Sequence, residues 1–297
     1  MLVMNPPLIS IITPTFNSGA KIAATIASVL SQRKGLYEFL VIDGGSTDDT
    51  VAHLRAQGPA LRYVSEPDKG VYDAMNKGIC LSSGKFLYFL GAGDRLLPGA
   101  LEAVAAELSK LPCQQKTSRP TLLYGDVRLA IDSRPYDGRF NRFKLLRRNI
   151  CHQAIFYQRS VFERLGFYNT KYRSLADWEF NIRCFNDYGV CKRYIPLQIA
   201  DYEGGGKSQT THDIAFQGDF PRQARPWYAK VAVFNARNLL VKVGFAPAWQ
   251  QIVEALQLSY SPRVIWEICS FFVLWFRIMA SQVKRRIKSK FNESGHS

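Results

Sequence analysis

The sequence predicts an α/β fold built on a largely parallel sheet, and three observations carry that prediction. Short β-branched apolar runs alternate with segments of helical periodicity along residues 1–112. The runs are apolar nearly throughout rather than at alternate positions, as strands covered on both faces are. They also end in loops rich in Gly, Asp, Thr and Asn, where open α/β sheets bind their ligands.

The first run, 8–13 (L-I-S-I-I-T), reads as a buried strand closed by Pro14. Ile22, Ile26, Val29 and Leu30 then recur at helical spacing within 19–32. A second strand, 37–43 (Y-E-F-L-V-I-D), ends in an acid, and Ser46 with Asp49 supplies a capping-box-like start to a helix that stops at Gly58-Pro59. Strand 61–65, helix 71–81 and strand 85–90 follow, then a helix over 98–111 with Pro98 in its first turn. Beyond this the pattern becomes mixed. Strands are expected at 121–129 and 190–202, with helices at 161–166 and 176–188, and His152 and Gln153 open a further strand. Gly204, Gly205 and Gly206 mark a loop able to close over a ligand, and they lack the spacing of a phosphate-binding P-loop. From about Phe216 the chain reads as helical and aromatic-rich, with breaks near Gly244, Pro247 and Pro262.

The composition excludes several classes. Of 297 residues 47% are hydrophobic and 21% charged, so the chain is neither disordered nor fibrous. The balance of 39 Lys+Arg against 24 Asp+Glu gives a net charge of +15, and the excess is local. Residues 134–149 hold six bases and one acid, and 263–297 hold seven bases and two acids. Solvated faces, an anionic membrane surface or a phosphorylated substrate each account for such patches. Nucleic acid is disfavoured, because zinc-finger spacing, an RNP-like aromatic motif and a helix-turn-helix are all missing. No run reaches the roughly 18 uncharged apolar residues of a spanning helix. Residues 1–10 carry no basic and apolar leader pattern, so a cytoplasmic protein is expected. The six cysteines form no C-x-x-C pair and are expected to be reduced and mostly buried.

Two strand-end acids stand out. Asp43 is followed by two glycines that let the chain turn sharply and a ligand approach closely. A carboxylate there can accept an N–H from a nucleobase, or simply hold a turn. Asp94 ends Gly91-Ala92-Gly93-Asp94, whose glycines leave room for a metal-bound diphosphate, and Mg²⁺ or Mn²⁺ bridges carboxylates to phosphates in this way.

The motifs I-S-I-I-T-P-T-F-N (9–17), L-V-I-D-G-G-S-T-D-D-T (40–50), S-E-P-D-K-G-V-Y-D-A-M-N-K-G-I (65–79) and G-K-F-L-Y-F-L-G-A-G-D (84–94) together resemble a family 2 glycosyltransferase of the bacterial polysaccharide-biosynthesis type. Further on, C-H-Q-A-I-F-Y-Q-R-S-V-F-E-R-L-G-F-Y-N (151–169) and A-D-W-E-F-N-I-R (176–183) resemble its acceptor half. The resemblance covers about residues 8–210. It implies the GT-A fold, a Rossmann-like mixed sheet, over residues 1–210. In this division 1–112 is the nucleotide-binding half, 113–210 is the acceptor half, and 211–297 is a helical, basic C-terminal region. It also implies an inverting transfer from a nucleotide-sugar, with UDP favoured, to a glycan or lipid-linked acceptor.

Carried over residue by residue, Pro14, Thr15 and Asn17 would line the nucleotide pocket and Asp43 would bind the base. Asp68 would lie near the base or ribose, Asp73 and Asn76 would border the sugar, and Gly93 would flank the diphosphate. Asp94 stands at the last acid of the family's D-x-D motif, the ligand of Mn²⁺ or Mg²⁺, and Asp177 in A-D-W-E matches the catalytic base. The first acid of D-x-D is replaced within Gly91-Ala92-Gly93.

The chemistry agrees with this assignment. A positioned carboxylate such as Asp177 can take the acceptor's proton, and a single displacement needs no enzyme nucleophile; no Ser/His/Asp or Cys/His signature is evident. At a helix start Asp177 could instead serve the helix dipole. His152 reads first as a partly buried, hydrogen-bonded residue and second as a phosphate or acceptor contact, Lys69 as a phosphate contact or a solvated loop residue, and Trp178 as core packing or sugar stacking. Two rivals remain: a nucleotidyltransferase, which needs a glycine-rich basic loop that 14–19 lacks, and a non-catalytic nucleotide-binding or membrane scaffold. A homo-oligomer is compatible with the sequence. The helix expected at 264–283 has Trp and Phe on a broad apolar face and precedes the basic run 284–290. It is expected to lie on the inner, anionic face of the cell membrane without crossing it.

Overall fold

The computed structural model describes residues 6–110, 119–129, 135–136, 138–202 and 213–219, with shorter stretches at 236, 240, 248–250, 252–253 and 268–281. The chain divides into two compact units, Met1–Gly218 and Asp219–Ser297. In the first, β1 (Ile9–Thr15), β2 (Tyr37–Asp43), β3 (Arg62–Ser65) and β4 (Phe86–Phe89) run parallel in the order β3-β2-β1-β4. Helices α1 (Ala20–Leu30), α2 (Thr50–Arg55) and α3 (Val71–Leu81) make the crossovers. The chain continues through β5 (Arg95–Leu96), α4 (Ala100–Ser109), β6 (Thr121–Leu129), β7 (Pro135–Tyr136), α5 (Arg142–Leu145) and a 3₁₀ turn at His152–Ala154. It ends with β8 (Ile155–Gln158), α6 (Arg159–Leu165), α7 (Ala176–Asn186) and β9 (Cys191–Tyr202). Strand β8 is antiparallel to both β4 and β6, β9 is parallel to β6, and β5 returns antiparallel to β9. The sheet is therefore mixed: its first four strands are parallel, and β6 with β9 forms a second parallel pair.

The apolar runs explain the core. Ile9, Ile11 and Ile12 of β1, Val41 and Ile42 of β2 and Phe86 to Phe89 of β4 are fully buried, since helices cover both faces. The strand forecast to stop at Thr13 runs on to Thr15 through Pro14. Leu90 N donates to Ile12 O on the β4 side and Gly44 N to Thr15 O on the β2 side. Pro14 thus turns its missing N–H toward β4 after β4 has ended, where no ladder bond is lost. On α3, Gly78 packs against Ile12, and a Cβ at this position would collide with Ile12 Cγ2.

Several expectations are corrected. The capping box does not form: the Ser46 hydroxyl is taken by Asp43 and by Asn17 N, and Asp48 Oδ1 instead accepts from Thr50 N at 3.0 Å. Strands β5 and β7, with two residues each, and the one-turn α5 are too short to show periodicity. Of the five described cysteines only Cys184 is buried; Cys80 and Cys269 are exposed, Cys80 on the side of α3 turned away from the sheet. In the second unit, Ile268 and Phe271 pack with Ala236, Leu240, Ala248 and Ile252. The aromatic face of this helix is thus partly spent inside its own unit, while Val273, Phe276 and Met279 are 52%, 63% and 42% exposed. Among the described residues no helix is long and apolar enough to cross a membrane. The loop of Gly204, Gly205 and Gly206, the breaks at Gly244, Pro247 and Pro262 and the basic run 284–290 lie outside the described residues.

Glu38 ties the leading ends of three strands together. Its Oε1 accepts from Ser10 Oγ of β1 (2.7 Å) and from Ser83 N (2.5 Å), Ser83 Oγ (3.0 Å) and Gly84 N (3.0 Å) at the approach to β4. Burial pushes this acid up, but the bonds from Ser83, Ser10 and Gly84 together outweigh it and hold Glu38 below the ordinary value of 4.5. A lowered acid contributes stability above its unfolded value and loses it as the pH falls through the folded one. Glu38→Gln is therefore expected to lower stability by about 1–3 kcal/mol at pH 7. The gap from wild type should close below pH 4.5 in urea titrations run across pH.

Candidate active site

In the order β3-β2-β1-β4 the connections leave β1 and β4 in opposite directions, and ligands bind at such a switch point. A cleft of about 680 Å³ opens there. The parallel half lines it with Pro14, Thr15 and Phe16 at the end of β1, Lys21 of α1, Asp68, Tyr72 and Met75 before and along α3, and Gly91, Ala92 and Asp94 after β4. The other half contributes Asn149 to Gln153, Arg173 to Leu175, Asp177 and Trp178.

Asp94 sits in a turn closed by its own N–H to Gly91 O at 3.1 Å. The buried Thr25 hydroxyl clamps that turn, accepting from Gly93 N (2.9 Å) and donating to Asp94 O (2.8 Å). Gly93 has φ +107°, a conformation that favours glycine. A Cβ at Gly91 would come within 2.8 Å of Asp94 Oδ2, so this glycine makes room for the carboxylate. Asp94 is 8% exposed, and its Oδ2 accepts from Gln153 Nε2 at 2.6 Å. Tyr88 OH in turn holds Gln153 O at 2.9 Å, and burial, helped by the charge of Asp94, keeps this phenol far above its ordinary value and so protonated.

Asp177 lies in the first turn of α7 and is 7% exposed. Its Oδ1 accepts from Tyr72 OH at 2.7 Å; its Oδ2 accepts from Asn149 Nδ2 at 2.9 Å and faces His152 Nδ1 at 3.8 Å. The turn before α7 is held by Asp213, which accepts from Ser174 N (2.9 Å), Leu175 N (3.2 Å) and Phe216 N (3.1 Å). Trp178 donates to Leu145 O at 2.8 Å and leans on Phe216 while still facing the cleft.

The expected site residues separate into two groups. Pro14, Thr15, Asp68, Asp94 and Asp177 meet at the cleft; Asn17, Asp43, Asp73, Asn76 and Gly93 do not line it. Asp43 has no exposed surface, and its oxygens accept from Ser46 N (3.0 Å), the Ser46 hydroxyl and Ser65 Oγ (2.7 Å). Asn17, at φ +47°, pins the same turn by accepting from Thr47 N. Asp73 Oδ2 accepts from Lys69 N, and Asn76 uses both ends of its amide on the Tyr168 backbone. Lys21, Tyr72, Asn149 and Arg173 were not singled out from the sequence. Only Lys21 had a positional cue, in the first turn of the helix after β1.

A mixed sheet with carboxylates converging on a strand-end cleft is the GT-A architecture, and solved structures share it. S. aureus TarS in complex with UDP-GlcNAc matches with a TM-score of 0.54 at 17% identity, over 84% of this chain and 72% of that one. A mannosyltransferase from Pyrobaculum calidifontis in complex with GDP-Man and Mn²⁺ matches with 0.52 at 16% identity, over 95% and 81%. The description "Glycosyl transferase family 2" fits residues 10–166. The PGL/p-HBAD biosynthesis glycosyltransferase of Mycobacterium bovis is 42% identical over 230 residues, 75% of this chain and 87% of that protein. Chondroitin synthase of Escherichia coli is 28% identical over 183 residues, 60% of this chain and 26% of that protein. The chain belongs to glycosyl transferase family 2 and is a glycosyltransferase, an enzyme of glycan biosynthesis.

Tyr72 is raised well above 10 by burial first, then by the charge of Asp177 and its bond to it. A raised phenol contributes stability below its unfolded value and loses it as the pH rises further. Tyr72→Phe removes the donor to Asp177 and to Ser174 O. It is expected to lower stability by about 1–3 kcal/mol at pH 7. In melts taken across pH, the difference from wild type should narrow above pH 10.

Proposed function

We propose that the enzyme is an inverting glycosyltransferase that moves a sugar from a UDP-sugar to a hydroxyl of a lipid-linked or polysaccharide acceptor in cell-surface glycan synthesis. The observation that carries this reading is the convergence of Asp94 and Asp177, one from each half of the sheet, on a single cleft. Asp177 accepts the proton of the attacking hydroxyl as general base. Tyr72 and Asn149 occupy one side of each of its oxygens and fix its rotamer. Asp68 faces the cleft where the base would lie. Buried Asp43 supports it from behind by holding the turn at Gly44, where even a Cβ would come within 2.6 Å of Asp68 Oδ2. Lys21 beside the end of β1 adds positive charge for the diphosphate. Arg173 and Trp178 line the acceptor side. The UDP-GlcNAc and GDP-Man complexes of structures with the same fold support a nucleotide-sugar donor, and UDP is taken from the family resemblance.

The donor set fits a divalent ion sparingly. Among the described residues no three His, Cys, Asp or Glu side chains cluster to hold one. One carboxylate plus substrate phosphates is, however, a set that Mg²⁺ and Mn²⁺ accept, and Asp94 with its glycines supplies it. Asp94 would hold such an ion, which would supply charge neutralisation for the departing diphosphate.

Asp177→Asn is expected to cut turnover by about 10²–10⁴-fold with UDP affinity unchanged, and Asp94→Ala to remove the Mn²⁺-dependent part of that affinity. Turnover of UDP-, GDP- and dTDP-sugars together with calorimetry on the same preparations checks both. Substantial transfer by Asp177→Asn would sink the base assignment.

We further propose that the enzyme works peripherally on the inner, anionic face of the cell membrane. Val273 and Phe276 stay exposed on a helix whose other face is already packed, and in sequence the basic run 284–290 follows directly. An apolar stripe next to clustered bases is the pattern of interfacial helices. Full-length protein should co-sediment with vesicles increasingly as anionic lipid rises and less as salt rises. A Val273→Asp/Phe276→Asp variant should remain in the supernatant. Equal sedimentation of the two would overturn this reading.

A further inference from the structure

Two carboxylates that act in the same turnover are reached by one short stretch of chain. Residues 149–153 run from the basic turn after α5 into the 3₁₀ turn before β8. At one end Asn149 Nδ2 donates to Asp177 Oδ2 at 2.9 Å; at the other Gln153 Nε2 donates to Asp94 Oδ2 at 2.6 Å. Between them His152 faces Asp177 at 3.8 Å.

Asn149 is itself held from behind. Its Oδ1 accepts from Asn181 Nδ2 at 2.8 Å, and Asn181 Oδ1 accepts from Tyr157 OH at 2.8 Å. The direction of this chain follows from its charged end. An ionised carboxylate only accepts, so Asn149 must present its NH₂ to Asp177 and its oxygen to Asn181, and Asn181 must then present its own oxygen to Tyr157. Asn181 and Tyr157 have no exposed surface, and burial keeps the Tyr157 phenol protonated. Three neutral groups in series therefore point their donors at Asp177, an arrangement with few alternatives once the core is packed. Amides that serve only the fold look different here: Asn76 spends both its ends on the backbone of Tyr168. Asn149 and Gln153 face the cleft, and each aims its NH₂ at a carboxylate there.

We propose that residues 149–153 are a positioning element that sets both carboxylates at once, Gln153 through Asp94 on the donor side and Asn149 through Asp177 on the acceptor side. This rests on the roles given to those two acids above. Neither amide takes part in bond making; each fixes how its carboxylate is turned toward the cleft. Because five residues span both contacts, a displacement of this stretch moves donor and acceptor chemistry together.

The test uses full-length Asn149→Asp, Asn149→Ala and Gln153→Ala, with kcat against pH, UDP affinity with Mn²⁺ by calorimetry, and thermal melting. Asn149→Asp sets a like charge against Asp177, and the acidic limb of its kcat profile is expected to move up by about one pH unit or more. The other titratable groups around Asp177 are His152, Tyr72 on α3, Tyr157 on β8 and Tyr168, all kept in this variant. Asn149→Ala should lose about 10–100-fold in kcat with UDP affinity within about twofold of wild type, and Gln153→Ala should lose about tenfold in Mn²⁺-linked UDP affinity with its acidic limb unmoved. An unmoved limb in Asn149→Asp, or proportional losses of kcat and affinity in both truncations, would overturn the proposal as a merely structural contact. Asp177→Asn measured alongside separates the failures. Lost turnover there with an unmoved limb overturns this proposal alone, whereas retained turnover overturns the base assignment and this proposal with it.

Discussion

The unequal pairing of β1 is the constraint on which the cleft depends. This strand pairs with β2 over all seven of its residues but with β4 only from Ile9 to Ile12. Past that point β4 has turned away through Gly91, and the last three residues of β1 have a neighbour on one side only. A proline can occupy that edge because no ladder bond is needed there. Pro14 and Thr15 thus form one wall of the crevice and the 91–94 turn the other, with Thr25 of α1 reaching across to fix the turn. Loss of the β1–β4 register would leave Asp94 without a defined place.

A second regularity is how the acids of the site are held. Asp94 accepts from a glutamine amide, and Asp177 from a phenol and an asparagine amide, with His152 Nδ1 3.8 Å away; Asp43 beneath the cleft is bound by two serines. Three other acids of the same unit meet guanidinium groups instead: Asp201 with Arg128, Asp187 with Arg164, Glu179 with Arg183. A guanidinium partner cancels the charge it binds, whereas a neutral donor fixes the geometry and leaves the charge to be used. For a base or a metal ligand, orientation without neutralisation is the useful combination.

Much of the parallel half was legible because its strands are continuous apolar runs and its loops carry glycines at strand ends. The mixed half was less so. Strands β5 and β7, at two residues each, have no period to detect. Asp43 and Asp68 both looked like ligand acids, and what distinguishes them is Ser65, a residue twenty-two positions from Asp43 that turns it inward. The partners of Asn149 and Gln153 lie 28 and 59 positions away, and no local pattern encodes such pairs. Asp177 was found through a motif, but Tyr72, 105 positions from it, could be seen beside it only once α3 and α7 had been brought together.

The two halves of the sheet meet along a narrow seam. Strand β4 pairs with β8 through three residue pairs, reinforced by the stacked rings of Tyr88 and Phe156 at 4.5 Å. On one side of the seam lie Pro14, Thr15, Asp68 and Asp94, on the other Asn149, Gln153 and Asp177. With so few ladder bonds across the seam, the two halves are joined chiefly by side chains, as Tyr72 to Asp177 and Asn76 to Tyr168 show. The stretch at 149–153 reaches both Asp94 and Asp177, so a change there is felt on both sides of the seam.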